Sequence, residues 1–153
     1  MTKNLFSVVM IAMMMCFAGC SNSSVVKENN DQFSNAVNAV TAGNVVINDL
    51  TTFEWDVAYN FAPFTPKERM EEVIGFSSKD IKATYNEGHT QLIFVKDNEV
   101  VCSIWGYAAN LGYFISFGRY DGGYIAIQNN EPASFAVDNS GEEFLLTYID
   151  DNR

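Results

Sequence analysis

Histidine and cysteine are scarce in this chain of 153 residues. The sequence contains one histidine, His89, and three cysteines, Cys16, Cys20 and Cys102. Transition-metal sites in proteins usually have several histidine and cysteine ligands, and this chain has too few of these residues to form one. The chain also lacks an Asp-x-Asx-x-Asx-Gly calcium loop and a glycine-rich phosphate loop. The sequence therefore predicts no metal and no other cofactor.

Basic residues are also few. The chain has 9 lysines and arginines against 19 acidic residues, for a formal net charge of −10. A negative charge of this size opposes binding to nucleic acid and adhesion to anionic membrane surfaces. We therefore expect no nucleic-acid partner, and any attachment to a membrane requires a hydrophobic anchor.

Little in the sequence points to catalysis. There is no Gly-x-Ser-x-Gly elbow, and the one nucleophilic arrangement to consider combines Cys102 or a serine with His89 and Asp56. His89 follows residues 86–88, whose composition is typical of a solvated loop. Cys102 stands among aliphatic residues, which favours burial over an intermolecular disulfide. We therefore expect a protein that is not an enzyme.

The first twenty residues have the layout of a secretory signal. Lys3 provides a basic start, residues 5–17 form an uncharged apolar run, and Ala18-Gly19-Cys20 places small residues before a cysteine. The apolar run is shorter than the roughly 20 residues that span a bilayer. There are two alternative interpretations of this segment. One is a transmembrane anchor that is retained, and the other is an ordinary cleaved signal followed by an unrelated cysteine.

This segment resembles the lipobox of bacterial lipoproteins, with Phe17 where that motif most often has leucine. The resemblance implies that residues 1–19 are removed and that Cys20 is acylated and becomes the new N-terminus. One acyl chain binds a membrane only marginally, whereas the two or more that this family carries give stable anchoring. Ser21 implies, by the family's sorting rule, the outer membrane of a diderm cell, with the domain facing the periplasm or the cell surface.

The remaining chain is expected to form a tether and one domain. Residues 20–30 are rich in serine and asparagine, which predicts a flexible tether, and residues 31–153 are long enough for a single domain. Apolar positions within residues 31–42 have helical spacing, with Gly43 suited to the helix end. Residues 53–61 alternate large apolar with small or charged side chains, which predicts a strand.

A short helix and a series of strands are predicted further along. Residues 65–68, Thr-Pro-Lys-Glu, have the form of a capping box, and Gly75 suits the end of the helix that they would begin. Residues 97–99 are predicted to turn a hairpin. The later strands are predicted at residues 91–95, 100–107, 112–117, 124–128, 133–137 and 142–149. The result is an α+β domain, an antiparallel meander of about six or seven strands with two or three short helices on one face.

Two features are candidates for a binding surface. Aromatic residues make up 14% of the chain, and a group around the later loops can form a platform for carbohydrate or peptide, although rings also fill cores. This group consists of Trp105, Tyr107, Tyr113, Tyr120 and Tyr124, with Trp105 and Tyr120 as the candidate surface residues. Glu54 and Asp56 share one face of the predicted strand and can act on glycans as a carboxylate pair, or simply keep a strand edge solvated.

The region from residue 53 to residue 76 resembles a block in a family of small, mostly uncharacterised bacterial lipoproteins. The matching residues are Phe-Glu-Trp-Asp at 53–56, Tyr-x-Phe-x-Pro-Phe-Thr-x-x-Glu at 59–68 and Ile-Gly-Phe at 74–76. The resemblance implies a related fold and the same envelope location. The resemblance implies no particular activity.

We therefore expect a membrane-anchored envelope lipoprotein that binds a partner, such as another envelope protein, at the membrane surface. One alternative is a small hydrolase of glycan or peptidoglycan that uses Glu54 and Asp56 or the His89 loop. Another is an inhibitor or immunity-type protein whose acidic surface meets a basic enzyme such as a lysozyme. A third is a structural lipoprotein that joins an assembly through an exposed sheet edge.

Intact mass measurement on the membrane-extracted protein tests the anchor. We expect a chain that starts at Cys20 and carries about two or three fatty acyl groups, the number that stable anchoring requires. The Cys20→Ser variant lacks the acylated sulfur, so it should appear free in the periplasm or medium. A soluble, unmodified wild-type species cut elsewhere, or a Cys20→Ser protein that remains in the membrane fraction, would contradict the anchor.

Overall fold

The computed structural model describes residues 22–120, 122–131, 133–141 and 144–149. The predicted lipidation residue, Cys20, and the leader before it lie outside this part. In chain order the elements are α1 (Asn22–Ala39), β1 (Gly43–Val46), a 3-10 helix (Ile47–Leu50), β2 (Val57–Phe61), α2 (Lys67–Ile74), β3 (His89–Lys96), β4 (Glu99–Tyr107), α3 (Ala108–Leu111), β5 (Phe114–Ser116), β6 (Tyr124–Gln128), β7 (Ser134–Asp138) and β8 (Leu145–Ile149). The predicted α+β class is confirmed.

The strands form two four-stranded sheets rather than one meander. The first sheet has the order β1-β7-β8-β5 and the second the order β4-β3-β2-β6. Neighbouring strands are antiparallel except β5 and β8, which are parallel. Sequential pairing holds for β2 with β3, for β3 with β4 and for β7 with β8, but β1, β5 and β6 each pair with a strand distant in sequence. Strand spacing along the chain carries no information about such pairings, so the single-sheet prediction was wrong.

The β3–β4 hairpin has the predicted turn. Asp97 and Asn98 both have positive φ, 50° and 62°, as a two-residue type I′ turn requires. The strand register then runs from Lys96 opposite Glu99 to His89 opposite Tyr107. The strand β3 lies between β4 and β2, and it is buried on both faces because a hydrophobic core lies on each face of the sheet.

The larger hydrophobic core contains side chains from both sheets and from α1. Phe94 of β3 occupies its centre and is fully buried. The Phe94 ring contacts the rings of Phe33, Phe53 and Trp55 at centroid separations of 5.4, 5.4 and 5.3 Å. Such tilted and edge-to-face contacts are the favoured geometries for aromatic pairs. The core around these rings also contains Phe135 and Leu146 of the first sheet, so it joins the two sheets and the first helix.

The strand predicted for residues 53–61 is shorter than expected, because β2 begins at Val57. Trp55 lies before the strand and is 3% exposed, with its indole Nε1 donating to Thr51 Oγ1 at 3.0 Å. Within β2, Ala58 and Asn60 are buried although the alternating pattern placed them outside. The reason is that β2 lies between β3 and β6 and is covered on both faces.

A second core lies under α2, on the other face of the second sheet. Met70 and Ile74 of α2 pack there with Phe61, Ile93 and Val95. The helix has 8 residues, fewer than a helix needs to be stable alone in water. Burial of its apolar side against the sheet is therefore what stabilises it.

The ends of α2 agree with the sequence only in part. Gly75 ends the helix with φ 97°, the left-handed conformation that glycine adopts readily. The capping box predicted at Thr65 is absent. Thr65 Oγ1 instead donates to the carbonyl of Ala62 at 2.7 Å, and Pro66 occupies the N-cap position without a side-chain hydrogen bond.

The tether predicted for residues 20–30 is wrong over the described part of that range. The helix α1 already begins at Asn22, nine residues before the predicted start. Val26 is 4% exposed and Asn29 is 8% exposed, and both extend the buried stripe of the predicted helix towards the N-terminus. Serine- and asparagine-rich composition indicated flexibility, but tertiary contacts hold this segment as helix.

Two asparagines of α1 dock on the outer edge of β4. Asn29 Nδ2 donates to the carbonyl of Val101 at 2.8 Å, and Asn30 Oδ1 accepts from the amide of Ser103 at 2.7 Å. These backbone groups point away from β3, so without the helix they would be an open strand edge. The polar side chains that suggested a tether thus satisfy the edge of a sheet.

Substitution of adjacent valines tests the docking of α1. Val26→Asp places a carboxylate in the buried position and should lower the free energy of unfolding by about 3 kcal/mol or more. The matched control is Val25→Asp, because Val25 is 46% exposed and its replacement should change stability by no more than about 0.5 kcal/mol. Urea unfolding of both variants measures the difference. Equal stabilities would mean that this segment is a tether after all.

Candidate functional site

Aromatic side chains lie at one end of the second sheet. Because its strands are antiparallel, the end of β4, the start of β3, the end of β2 and the start of β6 lie side by side. These four strand ends carry Trp105 and Tyr107, His89, Phe61, and Tyr124. Rings from four strands are thereby collected in a row that no single segment of the sequence contains.

A connecting segment, residues 80–86, crosses this end of the sheet without helix or strand. Its backbone carbonyls accept hydrogen bonds from the surrounding elements. The donors are Ser103 Oγ to Asp80 at 2.6 Å, Gln91 Nε2 to Lys82 at 2.7 Å, Trp105 Nε1 to Ala83 at 3.1 Å and Phe64 N to Thr84 at 2.9 Å. The segment is therefore fixed, and it fixes the Trp105 ring through the indole nitrogen.

Four aromatic residues at this end are exposed, and we call them the aromatic surface. They are Phe64, Tyr85, Trp105 and Tyr107, with exposed fractions of 65%, 72%, 36% and 45%. Among the described residues, only Val25 joins them as an exposed large hydrophobic side chain. Each member belongs to the crossing segment or bonds to one of its residues. Clustered exposed apolar side chains of this kind mark interaction sites.

His89 supports the aromatic surface from within. Its ring centroid lies 4.7 Å from that of Trp105 and 3.9 Å from that of Tyr107. Both ring nitrogens are buried and have no hydrogen-bond partner. His89 is therefore not in a solvated loop, as its neighbours in sequence suggested. It opens strand β3, and its ring packs between two aromatic side chains.

Polar contacts hold the same two rings from outside. Asn86 Nδ2 donates to the hydroxyl of Tyr107 at 2.6 Å. The ammonium of Lys82 lies 5.3 Å from the centroid of the Trp105 ring, within the range of a cation–π contact. Trp105 and Tyr107 are thus exposed to solvent but held in defined orientations.

Phe64 has a strained backbone. Its φ is 67°, a left-handed conformation that costs a residue with a Cβ about 1–2 kcal/mol. Its amide bonds to the crossing segment, and its ring remains largely in solvent. Backbone strain combined with an exposed aromatic ring is typical of sites where function outweighs stability.

A surface cavity of about 320 Å³ adjoins Phe64. Its lining is mainly apolar and aromatic and comes from the end of β2, the start of β6 with the turn before it, and α2 with the loop before it. The lining residues are Phe61, Pro63, Phe64, Thr65, Pro66, Arg69, Val73, Gly122, Gly123 and Tyr124. Arg69 is the one charged residue of this lining, and its guanidinium pairs with Glu72 at 2.7 Å. The cavity is suited to an apolar side chain.

Glu54 and Asp56 lie at the opposite end of the second sheet, beside the β3–β4 turn. Asp56 accepts a hydrogen bond from the amide of Asp97 at 3.0 Å, which supports the turn. The ammonium of Lys96 lies 3.5 Å from Asp56 and 3.6 Å from Glu54. The carboxylates of Asp56 and Asp97 raise the pKa of Lys96. The two acids thus share a cation, and the Asp56 carboxylate is engaged in the turn.

The residues of the hypothetical catalytic triad are not brought together. Cys102 is opposite Phe94 in the hairpin, whereas His89 is opposite Tyr107. Tyr107 is five residues further along β4, which is about 17 Å at 3.4 Å per residue. Asp56 lies beyond the other end of β3. Cys102 is buried as predicted, and burial raises the pKa of its thiol.

The structure divides the aromatic group of the sequence between core and surface. Tyr113 is fully buried, Tyr120 packs against the core between the sheets, and Tyr124 packs against the core under α2. Burial raises the pKa of Tyr120. Trp105 and Tyr107 alone of this group belong to the aromatic surface. Of the candidate surface residues, Trp105 therefore lies in it and Tyr120 does not.

Sequence reasoning overlooked Phe64 and Tyr85. Both lie in loops rather than in apolar periodic segments, Phe64 in a stretch with two prolines and Tyr85 before Asn-Glu-Gly. A large aromatic residue in a loop composition has no partner in its own segment. That isolation is the signal that would have identified both residues.

No family model, curated protein or solved structure matches this chain. Within the described ranges, no helix combines the length and apolar character needed to cross a bilayer. The same residues contain no group of three or more histidine, cysteine or carboxylate side chains that could hold a metal ion. The assignment of a site therefore rests on the geometry of the aromatic surface.

Fluorescence quenching tests the exposure of Trp105. The chain has two tryptophans, of which Trp55 is 3% exposed and Trp105 is 36% exposed. The Trp55→Phe protein retains only Trp105 and should be quenched by acrylamide several-fold more strongly than the Trp105→Phe protein. Far-UV circular dichroism of both variants provides the control for folding. Equal quenching constants in two folded variants would contradict an exposed Trp105.

Proposed function

We propose that the protein is a non-catalytic, lipid-anchored protein of the cell envelope that binds a partner through its aromatic surface. The observation that carries this proposal is the exposed cluster of Phe64, Tyr85, Trp105 and Tyr107, in which hydrogen bonds hold the Trp105 and Tyr107 rings. The anchor is Cys20, through its acylated sulfur, as the lipobox resemblance implies.

The aromatic surface has the properties of a binding hot spot. Aromatic side chains supply much of the energy of protein interfaces, because each buries a large apolar area. Binding is weakened when side chains must first be ordered. Hydrogen bonds already hold Trp105 and Tyr107 in single orientations, so less conformational entropy is lost when a partner covers them.

The direction of α1 supports a partner away from the anchoring membrane. Along α1, Asn29 and Asn30 bond to Val101 and Ser103 of β4, and Asn38 bonds to the carbonyl of Leu111 just beyond it. The helix therefore runs in the same direction as β4. Its start, two residues after Cys20 in the sequence, lies towards the Glu99 end of β4, and the aromatic surface lies at the other end.

This separation distinguishes a partner protein from the lipid surface. The nine residues of β4 span about 30 Å at 3.4 Å per residue. An anchor at the start of α1 would hold the Glu99 end of the sheet near the bilayer and present the aromatic surface to the aqueous space. The net charge of −10 also opposes insertion into anionic lipid. Both features favour a protein partner in the envelope.

The positions of the candidate catalytic groups favour binding over hydrolysis. The Asp56 carboxylate accepts a hydrogen bond from the turn amide of Asp97 and lies beside the ammonium of Lys96, contacts that give it a structural role in the turn. His89 packs between two rings at the other end of the sheet. The two forms of the hydrolase hypothesis, the Glu54 and Asp56 pair and the His89 loop, thus each rely on side chains that already have these other contacts.

Site-specific photocrosslinking in intact cells tests the proposed binding surface. A benzoylphenylalanine at Tyr85 should crosslink to a discrete envelope protein, because the Tyr85 side chain is largely exposed within the aromatic surface. The matched control places the crosslinker at Glu54, which is exposed at the opposite end of the sheet. Trp105→Ala should reduce the Tyr85 crosslink at least about tenfold, which corresponds to about 1.4 kcal/mol.

Three outcomes would contradict the proposal. One is equal crosslinking from the Tyr85 and Glu54 positions, and another is crosslinking of Tyr85 to lipid alone. The third is turnover of peptidoglycan or glycan by the purified protein that is lost in a folded Asp56→Asn variant. The anchor has its own matched control, because Cys16→Ser changes a cysteine of the removed leader and should leave membrane attachment unchanged.

A further inference from the structure

The strand β6 is an edge of the second sheet. Its ladder with β2 is bracketed by two backbone hydrogen bonds, from Asn129 N to the carbonyl of Asp56 and from Ala62 N to the carbonyl of Gly123. In an antiparallel pair, bonded and non-bonded residues alternate. The backbone groups of Ile125 and Ile127 therefore point at β2, and those of the residues that alternate with them, Tyr124, Ala126 and Gln128, point away from the sheet.

The outward groups belong to Tyr124, Ala126 and Gln128. The carbonyl of Gln128 accepts from the amide of Glu131 at 3.0 Å, which leaves its amide and both groups of the other two residues as an open edge within the described chain. Ala126 and Gln128 are exposed. The strand also contains no charged residue and no proline, the usual devices that protect an edge.

The two edges of the second sheet thus differ in whether side chains bond to their outward backbone groups. On β4, the side chains of Asn29 and Asn30 occupy the outward backbone groups of Val101 and Ser103. On β6, no described side chain does so. An unprotected apolar edge is a template for an additional strand.

The apolar cavity lies at the end of this open edge. Gly122, Gly123 and Tyr124, at the start of β6, form part of its lining, together with Phe64 and Val73. An added strand lies about 4.8 Å from its neighbour and places alternate side chains on each face of the sheet. A side chain on the α2 face, beside Tyr124, would reach the cavity.

We propose that the open edge of β6 and the adjacent cavity together bind an extended segment of a partner protein, with a large apolar side chain of that segment in the cavity. Main-chain hydrogen bonds to Tyr124, Ala126 and Gln128 give affinity, and the cavity selects the side chain. The inference rests on the proposed function in that it takes the protein to be a binding module, and it names the class of partner.

A second copy of this chain fits the site less well. In an antiparallel pair of two β6 strands centred on Ala126, two-fold symmetry places Tyr124 opposite Gln128. The residues that then face the cavity end are Asn129 and Asn130 of the second copy, which are polar, whereas the lining is mainly apolar. Two chains of net charge −10 also repel each other. A different protein that places an apolar residue at this position would suit the apolar lining and would avoid the repulsion between two copies.

Selection from a displayed library of random nine-residue peptides tests the proposal. The target is the mature lipoprotein in mild detergent, and the matched counter-target is its Ala126→Pro variant. Proline at this position removes an outward N–H that makes no bond to β2, so the sheet itself is retained. We expect enriched peptides that share a large apolar residue in a β-prone run. One of them, synthesised, should bind Ala126→Pro at least tenfold more weakly and Ala126→Ser within twofold of wild type.

A second measurement on the wild-type protein does not depend on the proline variant. Binding of the synthesised peptide should slow hydrogen exchange at the amides of Tyr124 and Ala126, because new backbone hydrogen bonds cover them. The amides of Ile125 and Ile127 already bond to β2 and should change less. Replacement of the shared apolar residue of the peptide by serine should weaken binding about tenfold, since the cavity then loses its occupant.

Several results would overturn the inference. The first is that no peptide is enriched on the wild type over Ala126→Pro, and the second is that the peptide binds a folded Ala126→Pro protein as tightly as the wild type. The third is that peptide binding leaves hydrogen exchange at the amides of Tyr124 and Ala126 unchanged. The fourth is a dimer of the protein that Ala126→Pro abolishes, which would make a second copy the occupant. These results leave the broader proposal intact if the Tyr85 crosslink persists. Loss of that crosslink with normal peptide binding would reject the aromatic surface alone.

Discussion

The burial of β3 on both faces is the constraint on which the rest of the structure depends. Leu92 and Phe94 belong to the core between the sheets, and Ile93 and Val95 belong to the core under α2. A strand with apolar side chains on both faces must have strands beside it and layers above and below it. The first sheet with α1 supplies one layer and α2 supplies the other.

A central β3 makes β4 and β6 the two edges of the second sheet, and the site follows from this arrangement. The edge of β4 is closed by asparagines of α1, and the edge of β6 is open. Between them, the antiparallel strands bring their aromatic ends together under the crossing segment. The proposed aromatic surface and the proposed strand-docking edge lie at this same end of the sheet, and Phe64 contributes to both the surface and the cavity.

The first helix links the proposed anchor to the proposed binding surface. Because Val26 is buried and Asn29 is bonded to β4, the domain has little freedom to rotate about the start of α1. A lipid on Cys20 would therefore set the orientation of the whole sheet relative to the bilayer. A flexible tether would allow the acidic domain to present any face to the bilayer, whereas the docked helix would restrict the choice if Cys20 carries the proposed lipid.

The sequence by itself determined the α+β class, the β3–β4 hairpin with its Asp97-Asn98 turn, the short helix ending at Gly75 and the burial of Cys102. Each of these features depends on residues that are close together in the chain. Tertiary structure alone decided the division into two sheets, the helical state of residues 22–30 and the meeting of Phe64 and Tyr85 with Trp105. Long-range strand pairing brings these residues together. A composition rich in serine and asparagine cannot indicate that Asn29 and Asn30 contact a strand edge 72 and 73 residues further along the chain.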